Sequence, residues 1–310
     1  MAGEWRVPVD ARLLNELAAS LSPETVFRRD EPLAKRTTLR VGGAADAYIE
    51  PVSESELTIV LRFCSQRGLS FFVLGRGSNL LVKDGGIRGV VICLAQPAFS
   101  RVQVAGDRLR CGAGARLKAV AAEAKRAGLT RLEFLEGIPG SVGGALRMNA
   151  GAMGGWTFDV VETVRFMDNR GQVHERGVTD IPVQYRGCPW FRDRLALTAV
   201  LRGEPAAREQ IAERAAAFNQ KRWASQPTLP SAGCIFKNPE SIPAGRLIEE
   251  LGLKGTRIGG AAVSEVHANF IVNEGSATAA DVLRLIELIR EKARTHRGID
   301  LETEVEIVGE

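Results

Sequence analysis

Between Gly137 and Gly155, seven of nineteen residues are glycine, interleaved with apolar ones. Neither a helix interior nor a central strand carries that density without cost. Each glycine loses more backbone freedom on folding than any other residue and packs nothing. The stretch must therefore be loop-rich, with backbone that can pass close to a ligand. The whole chain holds 33 glycines, where average usage of about 7% gives roughly 22. Two further groups take up the excess: Gly75, Gly77, Gly85, Gly86 and Gly89, then Gly252, Gly255, Gly259 and Gly260. Such clusters between apolar strands predict loops wrapped on something bulky. The central one fits a backbone-lined wall for a large planar ligand about as well as a plain tangle of loops.

At 310 residues the chain has room for two domains, or three small ones. Lys and Arg exceed Asp and Glu by 41 to 37, a net charge of +4. That suits anionic small molecules and is too weak to point to nucleic acid. No apolar run approaches the length of a membrane span. Met1–Arg6 lacks the charged-then-apolar layout of a signal peptide. A cytoplasmic protein is expected. Five cysteines without a Cys-x-x-Cys pair and only three histidines argue against a disulfide framework and against a metal site.

Helical spacing covers residues 11–21. Ser53 and Glu56 read as a capping box for a helix to about Gln66, with Gly68 as its stop. Further helices are expected from Ala115 to about Arg126, from Ala206 to about Trp223, and from Ala279 to about Arg294. The last has Thr278 and Asp281 as its capping box. Strands are expected at 45–50, at Phe71–Leu74 and Val90–Leu94 (both buried), near 160–167, 172–176 and 195–201, and at Leu301–Val308, which alternates strictly. No βαβ alternation is sustained, so the class is α+β. Gly203-Glu204-Pro205 is a plausible boundary, giving lobes of about 1–90, 91–203 and 204–310.

Five segments carry candidate chemistry. Gly75-Arg76-Gly77-Ser78-Asn79 follows a strand, and its consecutive N–H groups, hydroxyl and amide can hold a pyrophosphate. It is neither a Rossmann fingerprint nor a Walker loop, because the third glycine and the Gly-Lys-Ser/Thr are missing; a plain turn is the bland alternative. Ile138-Pro139-Gly140-Ser141-Val142-Gly143-Gly144 and Asn149-Ala150-Gly151 lie in the glycine-dense stretch. Tyr185-Arg186 could clamp a carboxylate or phosphate, although most arginines are solvated. Cys234, in a turn bounded by glycine and proline near Lys237 and Asn238, is either a reactive thiol or a packed cysteine. Glu304 lies with Glu302 and Glu306 on one face of an alternating strand, a pattern that by itself means solvent.

In order and wording these segments resemble the UDP-N-acetylenolpyruvoylglucosamine reductase family. Leu132-Glu133, Ser231-Ala232-Gly233-Cys234-Ile235-Phe236-Lys237-Asn238-Pro239, Ala244–Glu249, Gly252–Gly255, Gly259–Ser264, His267-Ala268-Asn269-Phe270 and Leu301–Val305 add to the match. It spans about residues 35–308. The resemblance implies a two-lobed FAD-binding domain of the vanillyl-alcohol-oxidase (PCMH) type and a C-terminal α+β substrate domain. It implies non-covalent FAD, NADPH as co-substrate, a UDP-sugar substrate, no metal, no nucleic acid or membrane partner, and a monomer working in peptidoglycan precursor synthesis.

By motif, Gly75, Arg76, Gly77, Ser78, Asn79, Ile138, Pro139, Gly140, Ser141, Gly143, Gly144, Asn149, Ala150 and Gly151 would bind the cofactor. Tyr185, Lys237 and Asn238 would bind substrate. Arg186 and Glu304 would hold and polarise the enolpyruvyl group, and Cys234 would stand where most members carry a proton-donating Ser. Met153 stands where a Tyr is common. The short stretch between Arg186 and Cys234 matches the family's short (type II) form. Two rivals stay open: a relative with covalently attached FAD, for which Cys111 is the nearest candidate, and a nucleotide-sugar-binding protein without catalysis.

Overall fold

A computed structural model describes residues 8–310; the Met1–Arg6 segment lies outside them. The chain forms two compact units. The first comprises the chain up to Arg29, Asp46–Arg76 and Gly89–Arg222; the second comprises Asp30–Ala45, Gly77–Arg88 and Trp223–Glu310. These units do not follow the three sequential lobes. Residues 30–45 and 77–88, expected in the first lobe, group with the C-terminal part. The reason is local pairing. Strand Glu306–Val308 lies parallel to Leu80–Val82, with Glu306 opposite Leu80. Leu39, Val41 and Leu81 join the core of the C-terminal helices.

The first unit carries most of a four-stranded sheet ordered Val26–Pro32, Ala44–Glu50, Ile87–Cys93, Phe71–Leu74. Phe71–Leu74 pairs in parallel with Ile87–Cys93. Helix Glu54–Arg67 covers the sheet with Leu57, Val60, Leu61 and Cys64, all wholly buried with Ala47, Ile49, Val90 and Ile92. Ser53 caps it as expected, accepting from Glu56 N at 3.2 Å, and Gly68 ends it in a left-handed conformation. The capping box is only half made. The Glu56 carboxylate turns instead to Ser22 N (2.7 Å), Val52 N (2.9 Å) and the Thr25 hydroxyl. Phe71–Leu74 is not the buried strand expected. It is an edge strand, and Val73 is 37% exposed.

A second, antiparallel sheet of five strands follows the order Val173–Gly177, Val161–Asp168, Arg194–Arg202, Arg108–Gly112, Val102–Ala105. Helices Leu117–Arg126 and Val142–Met148 bury Leu117, Val120, Val142 and Leu146 in the same core. The helix expected from Ala115 therefore begins two residues later. The helix expected over 206–223 runs Arg208–Ser225.

The second unit holds a four-stranded antiparallel sheet ordered Ser231–Cys234, Phe270–Asn273, Ala261–Val263, Arg257–Ile258. Helices Ala244–Glu250 and Ala279–Arg297 pack on it. The capping box of the second helix is complete. Thr278 Oγ1 accepts from Asp281 N, and the Asp281 carboxylate accepts from Thr278 N. The same carboxylate meets Gly260 N and Arg284. With the Thr278 backbone N–H as the largest cause, its pKa drops from 3.8 to about 2. A depressed carboxyl stabilises the fold above its unfolded pKa and loses that contribution as pH falls through the folded one. Urea unfolding of the wild type should therefore weaken between about pH 4 and pH 2, and Asp281→Asn should flatten that limb. An identical acid limb in both proteins would contradict this cause.

The expected strand 301–308 exists only as Glu306–Val308. Thr303 makes an isolated bridge to Phe236, and the chain bends at Val305. Strict alternation breaks because this segment serves two partners in turn, Phe236 and then Leu80. The third glycine cluster is also not a ligand loop. A Cβ at Gly255 would meet Glu265 Oε1 at 2.2 Å, one at Gly259 would meet the Asp281 carboxylate at 2.4 Å, and one at Gly260 would meet Ala277 N at 2.4 Å. These glycines let the chain pack on itself, as do Gly85 against Glu310 and Gly86 against Ala44. Among the described residues, no helix is long and apolar enough to cross a membrane.

Candidate active site

In the first unit, Gly75 lies against the central glycine cluster. A Cβ on Gly75 would lie 2.9 Å from Ser141 Oγ and 4.0 Å from Gly144 Cα. Ser141 is itself buried, and Gly143 is pressed on Ala113. Gly75 thus sits closely on the Ser141 side chain at the start of helix Val142–Met148, leaving no room for a Cβ. In the second unit, Gly77 takes a φ of +61°, and a Cβ there would strike Arg36 O at 2.4 Å. Ser78 and Asn79 follow, and strand Leu80–Val82 comes next, not a helix. The N–H groups, hydroxyl and amide of Gly77, Ser78 and Asn79 suit a diphosphate, and the helix of a Rossmann site does not follow them.

Arg186 is held in a tight turn. Gln184 and Gly187 exchange backbone hydrogen bonds of 2.9 and 3.3 Å. Arg186 has a φ of +55°, where glycine or asparagine is usual. Residues kept in such conformations cluster at functional sites. Arg186 Nη1 donates to Gly151 O at 3.0 Å, and its guanidinium lies 5.0 Å from the Trp156 ring and 5.7 Å from that of Tyr185. Trp156 and Tyr185 meet edge to face at 5.6 Å.

Trp156 belongs to a small hairpin in which Gly151 pairs with Trp156 and Ala152 with Gly155. Met153 and Gly154 turn it, both at positive φ. A Cβ on Gly151 would strike the indole at 2.4 Å, so this glycine makes room for the ring under Arg186. Asn149, in a left-handed cap, accepts from Phe158 N and donates to Gln184 O, tying hairpin to turn. An open recess beside them is lined by Asn149, Trp156, Phe158, Asp159, Val183 and Tyr185.

In the second unit, Cys234 and Glu304 come together through backbone. Glu304 N donates to the carbonyl of Ile235, the residue after Cys234, at 2.8 Å. Lys237 N donates to Glu302 O at 2.9 Å. The strand ending at Cys234 is irregular, with its register shifting between Ser231 and Cys234 and Gly233 at a φ of +78°. Asn269, buried to 2% exposure, fixes the two residues after Cys234. Its Oδ1 accepts from Phe236 N (2.9 Å), its Nδ2 donates to Phe236 O (2.8 Å), and its own carbonyl accepts from Ile235 N. Cys234 and Glu304 are both half-buried; solvated-face alternation alone does not describe Glu304.

Lys237 forms an ion pair with Glu302 at 2.6 Å, and Asn238 Oδ1 accepts from Ala244 N at the start of helix Ala244–Glu250. Cys111 lies wholly buried in the core of the first unit, and burial pushes its thiol up to about 12. That environment does not suit a point of flavin attachment.

Sequence patterns missed Trp156, which lies under the Arg186 guanidinium, and Asn269, which holds Phe236 after Cys234. Asn269 carried a signal, a lone amide inside the apolar run Ala268-Asn269-Phe270-Ile271, since a buried amide must find partners. Trp156 carried none beyond its place at the end of the glycine-dense stretch.

An FAD binding domain model matches residues 45–177, and the second unit is α+β. The chain is therefore a flavoprotein of the vanillyl-alcohol-oxidase (PCMH) type. A second model, the C-terminal domain of UDP-N-acetylenolpyruvoylglucosamine reductase, matches residues 226–308. The reductase of that name from Geobacter metallireducens is 46% identical over 299 residues, covering 96% of this chain and 98% of the relative. That from Carboxydothermus hydrogenoformans is 43% identical, covering 97% and 99%. The crystal structure of the enzyme from Thermus caldophilus is 37% identical, covers 92% of this chain and 99% of its own, and superposes with a TM-score of 0.79. This chain belongs to the UDP-N-acetylenolpyruvoylglucosamine reductase family.

Proposed function

We propose that this chain reduces the enolpyruvyl ether of UDP-N-acetylenolpyruvoylglucosamine, with NADPH as electron source and Arg186, Glu304 and Cys234 as the acting side chains. FAD, when bound, supplies the hydride chemistry, and the protein supplies position and field. Gly75, Arg76, Gly77, Ser78, Asn79, the segment Ile138–Gly144 and Asn149–Gly151 would hold it. As the terminal carbon of the enolpyruvyl group is reduced, charge gathers on its carboxylate. Arg186 meets that charge with a guanidinium already fixed by Gly151 O and Trp156, so little reorganisation is needed. Glu304 orients the same group. The Cys234 thiol gives its proton to the adjacent carbon as general acid. Tyr185, Lys237 and Asn238 contact the UDP-sugar.

The observation that carries this reading is the ladder that sets Glu304 beside Ile235, one residue from Cys234. An absorbance spectrum tests it. The purified protein should be yellow, lose its flavin on denaturation, bleach with NADPH and regain colour on adding the enolpyruvyl sugar. A colourless protein that FAD cannot reconstitute, or a bleached flavin that the sugar leaves unchanged, would contradict it. Ser78→Asp should weaken FAD binding by about tenfold or more, because a new anion faces the pyrophosphate; unchanged affinity by flavin fluorescence titration would remove Ser78 from the cofactor site.

A further inference from the structure

The second unit ties both of its acting segments to the loop Gly77–Asn79. Thr38 Oγ1 lies 2.7 Å from Ser231 O and 3.3 Å from Gly77 O, and Thr38 N donates to Gly77 O at 3.0 Å. One threonine therefore bridges the glycine loop and the start of the Cys234 strand. The close seat of Gly77 on Arg36 and Thr37, where any Cβ would clash at 2.4 and 2.8 Å, fixes that bridge from the other side.

The second tie is Asn79. The parallel ladder between Leu80–Val82 and Glu306–Val308 is extended on the N-terminal side by Asn79 O accepting from Glu306 N at 3.1 Å. Past that bond the main chain has left strand geometry. The Asn79 side chain takes over as the next rung, with Nδ2 donating to Glu304 O at 3.0 Å. Glu304 is then gripped from both sides, its N–H on Ile235 O and its carbonyl on Asn79.

We propose that Thr38 and Asn79 are positioning residues, which set the proton-donor strand and Glu304 against the Gly77–Asn79 loop; this rests on the roles proposed for Cys234 and Glu304. Thr38 acts on the Cys234 strand through Ser231, and its hydroxyl is the group that matters. A hydroxyl at that place is needed to donate to Ser231 O, since valine of the same shape would leave the carbonyl without that donor. Small displacements of a reacting group cost roughly ten- to a hundredfold in rate.

The test compares holoenzymes carrying Thr38→Val, Thr38→Ser and Asn79→Asp. In Thr38→Val, amide exchange over 231–236 should quicken and reoxidation of reduced flavin by the enolpyruvyl sugar should slow about ten- to a hundredfold. FAD content and flavin reduction by NADPH should stay within about twofold of wild type. Thr38→Ser should restore both readouts. Asn79→Asp, which replaces the donor with a carboxylate facing Glu304 O, should quicken exchange over 302–306, whatever it does to FAD. Wild-type reoxidation in Thr38→Val, unchanged exchange in both segments, or equal loss in both half-reactions would overturn the proposal. If Cys234→Ala alone reoxidises normally, the assignment of the donor fails instead.

Discussion

Cys234→Ala should leave flavin reduction by NADPH at its wild-type rate and slow transfer to the enolpyruvyl sugar by roughly 10²–10⁴, the usual worth of a positioned general acid. The split arises from where the proton is needed. Loading the flavin from NADPH makes no use of a donor aimed at the sugar, whereas the second half-reaction ends in one. Cys234 sits at the end of an irregular strand whose next two residues are fixed by Asn269 and by the Glu304 backbone. Truncation to alanine should therefore remove the thiol without loosening its support. Stopped-flow absorbance resolves the two phases. An equal loss in both would mean damage to folding or cofactor binding, not loss of a donor.

Arg186→Ala should slow the same half-reaction by on the order of 10²–10³, as expected when one partner of a developing charge is removed from a preorganised site. Its left-handed backbone strengthens this expectation. The turn holds an arginine where glycine is easier, and Gly151 and Trp156 then fix its guanidinium. Glu304→Gln should fall in the same range, with reduction by NADPH again spared. A Glu304→Gln variant that reoxidises at the wild-type rate would return Glu304 to the solvated edge that its alternation suggests.

Local signals in the sequence carried the elements well where one residue governs one feature. Gly68 takes the left-handed cap read as a helix stop, and Thr278 with Asp281 forms its box as spaced, although that helix runs on past Arg294 to Arg297. They failed where a segment answers to partners distant in sequence. Leu301–Ile307 alternates, yet the segment bridges to Phe236 at Thr303 and pairs with Leu80 at Glu306. Glu56 was spaced for Ser53 but bonds Ser22 and Thr25. Glycine count alone could not separate backbone proposed for the cofactor from backbone that packs on the chain, because both need the missing Cβ; Gly75, proposed for the cofactor, and Gly259, set against Asp281, look alike in the sequence. The candidate site was legible as motifs, and the resemblance supplied the roles. Of its supports, Asn269 showed as a lone amide in an apolar run, whereas Thr38 and Trp156 did not, because Thr38 works through a main-chain carbonyl far along the chain and Trp156 through the distant Arg186 side chain.

The most direct test of Cys234 as donor in an enolpyruvyl reductase is flavin reoxidation by the sugar, tracked by stopped flow against pH in wild type and Cys234→Ser. An ordinary cysteine thiol ionises near pH 8.5, and a thiolate has no proton to give. Wild-type reoxidation should therefore fall on the alkaline side, and Cys234→Ser should stay active and lose that limb, since a serine hydroxyl does not ionise in the range. Superimposable alkaline limbs in the two proteins, or a wild type with no limb at all, would contradict the account and assign the proton to another group.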